Sequence, residues 1–173
     1  KNNVLFSNNM ISIEITKSLI IGLILVAIIG LIDDYKNLPS SIRIIVYLIS
    51  AGLSLYLIGG VKSISINEHS YYLGNIGYYL GILFLVWLTN LYNFMDGIDG
   101  MSTSGATFFS LSIGGYLLWQ GIEPYGSLLI ILAASSLAFL YFNWPPAKMF
   151  LGDAGSYFYG YLFAFLFVSV WKT

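Results

Sequence analysis

Long apolar runs leave this chain few folds to choose from: stretches of 16 to 19 residues, made mostly of Ile, Leu, Val, Phe, Gly and Tyr, recur between short polar breaks. A bilayer core takes about 20 apolar residues in a helix to cross. The runs near 17–32, 41–59, 77–95, 102–119, 125–143 and 156–171 therefore predict about six transmembrane helices. Lipid offers no partner to open backbone, so each run must close its hydrogen bonds internally as a helix. Composition agrees, with 58% hydrophobic and only 9% charged residues, against about a quarter charged in soluble domains. The expected fold class is an all-α polytopic membrane protein, with residues 1–173 forming one transmembrane domain and no composition shift to mark a second.

The breaks carry the punctuation such a fold needs. Pro39, Gly59-Gly60, Gly97 and Gly100, Gly121 with Pro124, and Pro145-Pro146 separate the runs. The 61–76 connection is the longest, and its Ser63-Ile64-Ser65-Ile66 alternation followed by Tyr71-Tyr72-Leu73 and Gly74-Asn75 predicts a small β-hairpin. Tyr71, Tyr72, Tyr78 and Tyr79 beside it read as an interfacial aromatic belt rather than as substrate stackers. With no cysteine and one histidine, His69, thiolate sites and histidine clusters are excluded within this chain. Neither end looks natural: KNNVLFSNNM lacks the features of a signal peptide, and VSVWKT stops directly after an apolar run, so the chain is expected to be an internal piece of a longer protein.

Charge placement is more informative than charge total, which is −1 and says nothing about partners. Consecutive spans alternate in direction, so connections after spans one, three and five share a face. All five aspartates (Asp33, Asp34, Asp96, Asp99, Asp153) fall on that face and all three glutamates (Glu14, Glu68, Glu123) on the other. Such segregation predicts one acidic site at one membrane surface, and an acidic site needs a cation. The positive-inside rule leaves the orientation tied, because Lys36, Arg43 and Lys148 accompany the aspartates while Lys17, Lys62 and Lys172 lie opposite.

Three motifs hold the aspartates. In LIDDYKNLP, Asp33 and Asp34 are adjacent, so on a helix their side chains point about 100° apart and one carboxylate can face a metal or phosphate while the other faces a backbone or basic partner. A solvated helix end is the competing reading, but acids oppose the dipole at a helix C-terminus. Lys36 and Arg43 either neutralise the pair or hold a substrate's phosphates. In NLYNFMDGIDG, Asn90, Asn93 and Asp96 stand three apart and Asp99 follows after three more, a polar stripe on an apolar span. Polar groups at this depth are costly and usually functional; interhelical glue is the plainer alternative. Gly97 and Gly100 permit a tight turn beside a ligand. In NWPPAKMFLGDAGS, Asp153 lies between Gly152 and Gly155 in a glycine turn before span six, an arrangement suited to a carboxylate on Mg²⁺, though an Asp N-cap would look the same. Lys148 is a phosphate contact if the site is real and a snorkelling side chain otherwise.

From Ile32 to Tyr159 these motifs, in this order, resemble the polyprenyl-phosphate N-acetylhexosamine-1-phosphate transferases. The wording NLYNFMDGIDG with FNWPPAKMFLGDAGS is most similar to the branch that starts O-antigen and related surface glycans. The resemblance implies transfer of a sugar-1-phosphate from a UDP-sugar donor to undecaprenyl phosphate with release of UMP, the first membrane step of bacterial cell-envelope polysaccharide synthesis. It further implies Mg²⁺ as cofactor, with Mn²⁺ the alternative ion, and an active site on the cytoplasmic side of the bacterial inner membrane. Residue by residue, Asp33 and Asp34 match the family's catalytic pair, Asn90, Asn93, Asp96 and Asp99 its uridine and phosphate motif, and Asp153 its metal-binding aspartate. Arg43 and Lys148 join as basic substrate contacts, and Tyr47 stands where many relatives carry glutamine.

The partners expected are donor, polyprenyl phosphate and lipid, with a homodimer allowed and no nucleic acid. Nothing here matches the family's first two spans or its C-terminal histidine loop, and His69 lies in a connection on the opposite face, so the chain alone is expected to be inactive. Two rivals stand beside this reading. A cation transporter would place its acids near mid-bilayer among broken helices, and a non-catalytic relative would keep the motifs without the activity.

Overall fold

The structure is a computed structural model that describes residues 13–66 and 69–170. The opening stretch 1–12, Glu68 and Lys172, all used in the sequence reading, lie outside the described residues. Six helices and a two-stranded hairpin follow one another: α1 (Ile13–Lys36), α2 (Ser40–Ile58), β1 (Ser63–Ile66), β2 (His69–Tyr72), α3 (Asn75–Met95), α4 (Met101–Trp119), α5 (Glu123–Asn143) and α6 (Gly152–Val170). The helices match the six expected spans in number and order, and the hairpin pairs Ser63 with Tyr72 and Ile66 with His69. Two compact units emerge, residues 1–91 with 153–173 and residues 92–152.

Among the described residues four helices are long and apolar enough to cross a membrane by length and composition: α1, α2, α3 and the Tyr125–Asn143 part of α5. The shortfall in α4 and α6 has a compositional cause, since α4 is rich in Ser, Thr and Gly and α6 in Tyr and Gly. For α6 the reason is burial: Ser156, Tyr157 and every residue from Tyr159 to Leu166 are buried, and a helix enclosed by protein need not be as oily as one facing lipid. Conversely, α1 and α2 expose Ile20, Ile24, Ile28, Ile45 and Ile49, as lipid-facing helices do.

In the first unit, α1 buries Ile15, Ser18, Leu19, Gly22, Val26, Ile29, Gly30 and Asp33, one face at helical spacing. Ser18 Oγ donates to the Ser54 carbonyl at 2.7 Å and Ser54 Oγ returns the bond to the Ser18 carbonyl at 3.0 Å, which joins α1 to α2. The Tyr161 hydroxyl of α6 completes the junction, 2.6 Å from Ser54 Oγ. Small residues let the backbones approach, as is usual where lipid removes the hydrophobic drive between helices. Gly30 is the extreme case: a Cβ there would overlap the Ala154 backbone at the start of α6. α3 joins through the Tyr78 hydroxyl, which donates to the Gly52 carbonyl at 2.8 Å, and through the Phe84 and Phe167 rings. In the second unit α4 and α5 pack as a helical hairpin through Gly114 and Gly126, where a Cβ would press on Leu129 and Leu118.

α1 runs four residues beyond the apolar span at each end, with Asp33 and Asp34 at its C-terminal end as expected. One local expectation is corrected. Asp153 lies in the first turn of α6 and not in a glycine turn, because the helix already starts at Gly152, whose φ of 74° makes the sharp entry.

Gly30→Ala should lower the thermal unfolding temperature in detergent by several degrees, since overpacking costs about 1–3 kcal/mol. Gly115→Ala, where a Cβ meets nothing within 4 Å, should leave it unchanged or raise it, and equal melts for both variants would contradict the α1–α6 contact.

Candidate active site

Asp33 and Asp34 occupy the last turn of α1 and face different neighbours. Asp33 is 2% exposed and its carboxylate is fully engaged. Oδ1 accepts the Leu38 N–H at 2.6 Å, closing the turn into α2. Oδ2 accepts the Tyr157 hydroxyl at 2.6 Å and Arg43 Nη1 at 3.1 Å. Arg43 Nη1 also lies 3.2 Å from the Tyr157 oxygen, and Nη2 donates to Ser40 Oγ at 3.1 Å. The guanidinium side chain is 26% exposed, so the fork is anchored along one edge while its remaining N–H groups stay reachable. Tyr47 is buried edge-on to Tyr157, with ring centroids 5.1 Å apart.

Asp34 is exposed. Its Oδ1 accepts the Asp153 N–H at 2.8 Å and its Oδ2 the Ala154 N–H at 3.3 Å. Asp34 thus caps α6 from a distant part of the chain and answers the positive end of that helix's dipole, which settles why an acid is tolerated at the C-terminus of α1. Asp33, Asp34 and the Asp153 backbone therefore meet where α1 ends and α6 begins.

The sequence motif of the second unit is built differently. α3 ends at Met95, but the Asp96 N–H still donates to the Tyr92 carbonyl at 3.1 Å, so Asn93 and Asp96 keep their helical spacing. Turns follow through Gly97 and Ile98 to Gly100, whose φ of 74° only glycine adopts readily, immediately before α4. Asp99 Oδ2 accepts the Ala147 N–H at 2.9 Å, tying this turn to the Pro-Pro segment. Asn143, buried at the end of α5, holds the rest: its Oδ1 accepts the Gly100 N–H at 3.1 Å and Thr103 Oγ1 at 2.9 Å, while Nδ2 donates to the Met149 carbonyl at 2.9 Å. Lys148 and Asn90 are exposed.

Of the residues singled out in the sequence, Asp33, Asp34, Arg43 and Asp153 are brought together in the first unit. Asn93, Asp96 and Asp99 line the α3–α4 turn region of the second. Tyr157, the Tyr47 ring packed against it, and Asn143 were not anticipated. Asn143 was legible as the one amide closing an apolar span before two prolines; Tyr157 was hidden inside an aromatic run.

Residues 16–171 match glycosyl transferase family 4, and the chain belongs to that family. It is 31% identical over 151 residues to the probable undecaprenyl-phosphate N-acetylglucosaminyl 1-phosphate transferase of Bacillus subtilis, covering 84% of this chain and 41% of that protein. Phospho-N-acetylmuramoyl-pentapeptide-transferases of Thermotoga petrophila (31% over 159 residues, 87% and 52%) and Streptococcus equi (26% over 170 residues, 92% and 51%) are also similar. The chain spans about half the length of the curated relatives it matches.

Asn143→Leu keeps the side-chain size but strands its partners, at about 1–3 kcal/mol for each buried group left unpaired. Amide exchange at 98–103 and 147–151 should accelerate, and unchanged protection would show that Asn143 does not hold this turn.

Proposed function

We propose that this chain carries the phosphoryl-transfer machinery of a multi-pass bacterial cytoplasmic-membrane enzyme. It moves an N-acetylated hexosamine 1-phosphate from a UDP-sugar to undecaprenyl phosphate, releases UMP, and so starts a cell-envelope surface glycan. The observation that carries this reading is the buried Asp33–Arg43 pair beside Asp34, whose carboxylate holds the Asp153 and Ala154 N–H groups at the α1–α6 junction.

The donor set suits Mg²⁺. Among the described residues no three acidic or histidine side chains gather as a complete cage. Mg²⁺ does not ask for one, because it takes one or two carboxylates and completes its shell with water and substrate phosphates. Asp153 would hold the ion. When bound, Mg²⁺ neutralises charge on the pyrophosphate of the donor. Mn²⁺ would fit the same oxygens.

Phosphoryl transfer rests on positioning and charge neutralisation more than on covalent chemistry by the protein. Of the aspartate pair, Asp34 is the one turned outward, so it positions or deprotonates the acceptor phosphate, while Asp33 orients Arg43. An oxygen of the polyprenyl phosphate forms the new bond to the sugar-bearing phosphorus, and the bond to the departing UMP oxygen breaks in the same step. Arg43 and Lys148 are contacts for phosphate oxygens. Asn90 and Asn93 suit the uracil or ribose edge, since an amide offers both donor and acceptor, and Asp96 and Asp99 serve the same donor. The aspartate-bearing turns face the cytoplasm, where nucleotide sugars are available.

The full-length protein, given polyprenyl phosphate, Mg²⁺ and a panel of UDP-sugars, should release UMP with at least one donor. Asp34→Asn and Asp153→Asn should each reduce that release by about a hundredfold or more, as loss of charge-positioning groups does. Absence of UMP with every donor, or full activity in both variants, would overturn the assignment.

A further inference from the structure

Resting on that reading, we infer that Tyr157 is a positioning residue for the transfer, acting through Asp33 and Arg43 without touching substrate. Its hydroxyl is a node between two charged side chains: it donates to Asp33 Oδ2 at 2.6 Å and accepts from Arg43 Nη1 at 3.2 Å, while the Tyr47 ring packs edge-on against its own. Tyr157 is fully buried, as is Tyr47 to within 1%, so both stand behind the site rather than in it. The shorter of the two bonds to Tyr157 runs to Asp33, so the node fixes the carboxylate that in turn fixes the guanidinium.

What the node controls is direction. Arg43 offers five N–H donors in a rigid fork. One edge is taken by Asp33, Tyr157 and Ser40, which sets where the remaining donors point. Without the Tyr157 hydroxyl, Asp33 Oδ2 keeps Arg43 as its single partner, and the guanidinium is held only by Asp33 and the exposed Ser40 contact. Substrate would still bind, because the charge remains, but the donors would no longer be preorganised for the charge that develops during transfer. A rigid second layer behind a working side chain is what holds it to the tolerance such chemistry needs.

A purely structural hydroxyl is available for comparison four residues along the same helix. Tyr161 is buried as well, and its hydroxyl bonds Ser54 Oγ at 2.6 Å and the Ser50 carbonyl at 3.1 Å, with no acidic or basic partner. Tyr157→Phe and Tyr161→Phe each delete one buried phenol oxygen from α6 and keep the ring.

In the full-length protein, Tyr157→Phe should lower kcat for UMP release by about tenfold, the scale of one hydrogen bond to a charged group, with the donor KM changed less than twofold. Tyr161→Phe should lower the unfolding temperature to a similar extent and leave kcat within twofold. In an Arg43→Lys background, which keeps the charge and removes the fork, Tyr157→Phe should cost less than threefold further, because the two changes break one chain of contacts. Equal kcat losses in the two phenylalanine variants, or a full tenfold loss that persists in the Arg43→Lys background, would overturn the inference while leaving the transferase assignment in place. A wild-type protein that releases no UMP would remove the assignment, and the inference with it.

Discussion

The first unit depends on the contact between the last turns of α1 and the first turn of α6. Gly30 lets the two backbones approach where a Cβ would overlap Ala154, and within one turn of that contact Asp33 meets Tyr157 while Asp34 meets the N–H groups of Asp153 and Ala154. Packing and electrostatics reinforce each other here. A bulkier residue at 30 would separate the helices and so remove the α6 partners of both carboxylates, leaving Asp33 as a buried charge held by Arg43 and the Leu38 N–H alone, a costly state.

That junction explains how two adjacent acids can have different fates. The inward face of α1 passes through Gly22, Val26, Ile29 and Gly30, and Asp33 continues it; Asp34 lies about 100° further round and projects outward. Helical geometry alone therefore separates a locked carboxylate from an accessible one. The locked one organises the turn into α2 through the Leu38 N–H and orients Arg43. The accessible one reaches across to α6 and holds Asp153 in position by its backbone.

Much of this was readable from residues. Six apolar runs gave six helices, and the Ser-Ile alternation at 63–66 gave the hairpin, because both follow from periodicity that the bilayer and the pleat impose. The carboxylates at 33, 34 and 153 were recognisable because acids are expensive beside apolar runs. Their division of labour was not, since it depends on which face of α1 meets α6, a tertiary fact that Gly22 and Gly30 encode only once the partner helix is known. Tyr157 was invisible for a related reason: in SYFYGYLFAFLF a tyrosine reads as another bulky apolar side chain until its hydroxyl is seen on an aspartate. Tyr47 stood out only as a departure from glutamine, and the structure places its ring edge-on against Tyr157. The shortfall of α4 and α6 as candidate spans likewise reflects environment, because Ser, Thr, Gly and Tyr serve helix contacts that hydropathy alone does not weigh.

Under the proposed function, the carboxylates at the α1–α6 junction hold a divalent ion together with the diphosphate of a nucleotide. Electron paramagnetic resonance of Mn²⁺ bound to the full-length protein with UDP tests it most directly. The ion should show hyperfine coupling to phosphorus, and both the coupling and the tightly bound Mn²⁺ signal should disappear in Asp153→Asn while Tyr161→Phe retains them. A Mn²⁺ signal with the same phosphorus coupling in Asp153→Asn would place the metal elsewhere and contradict the account.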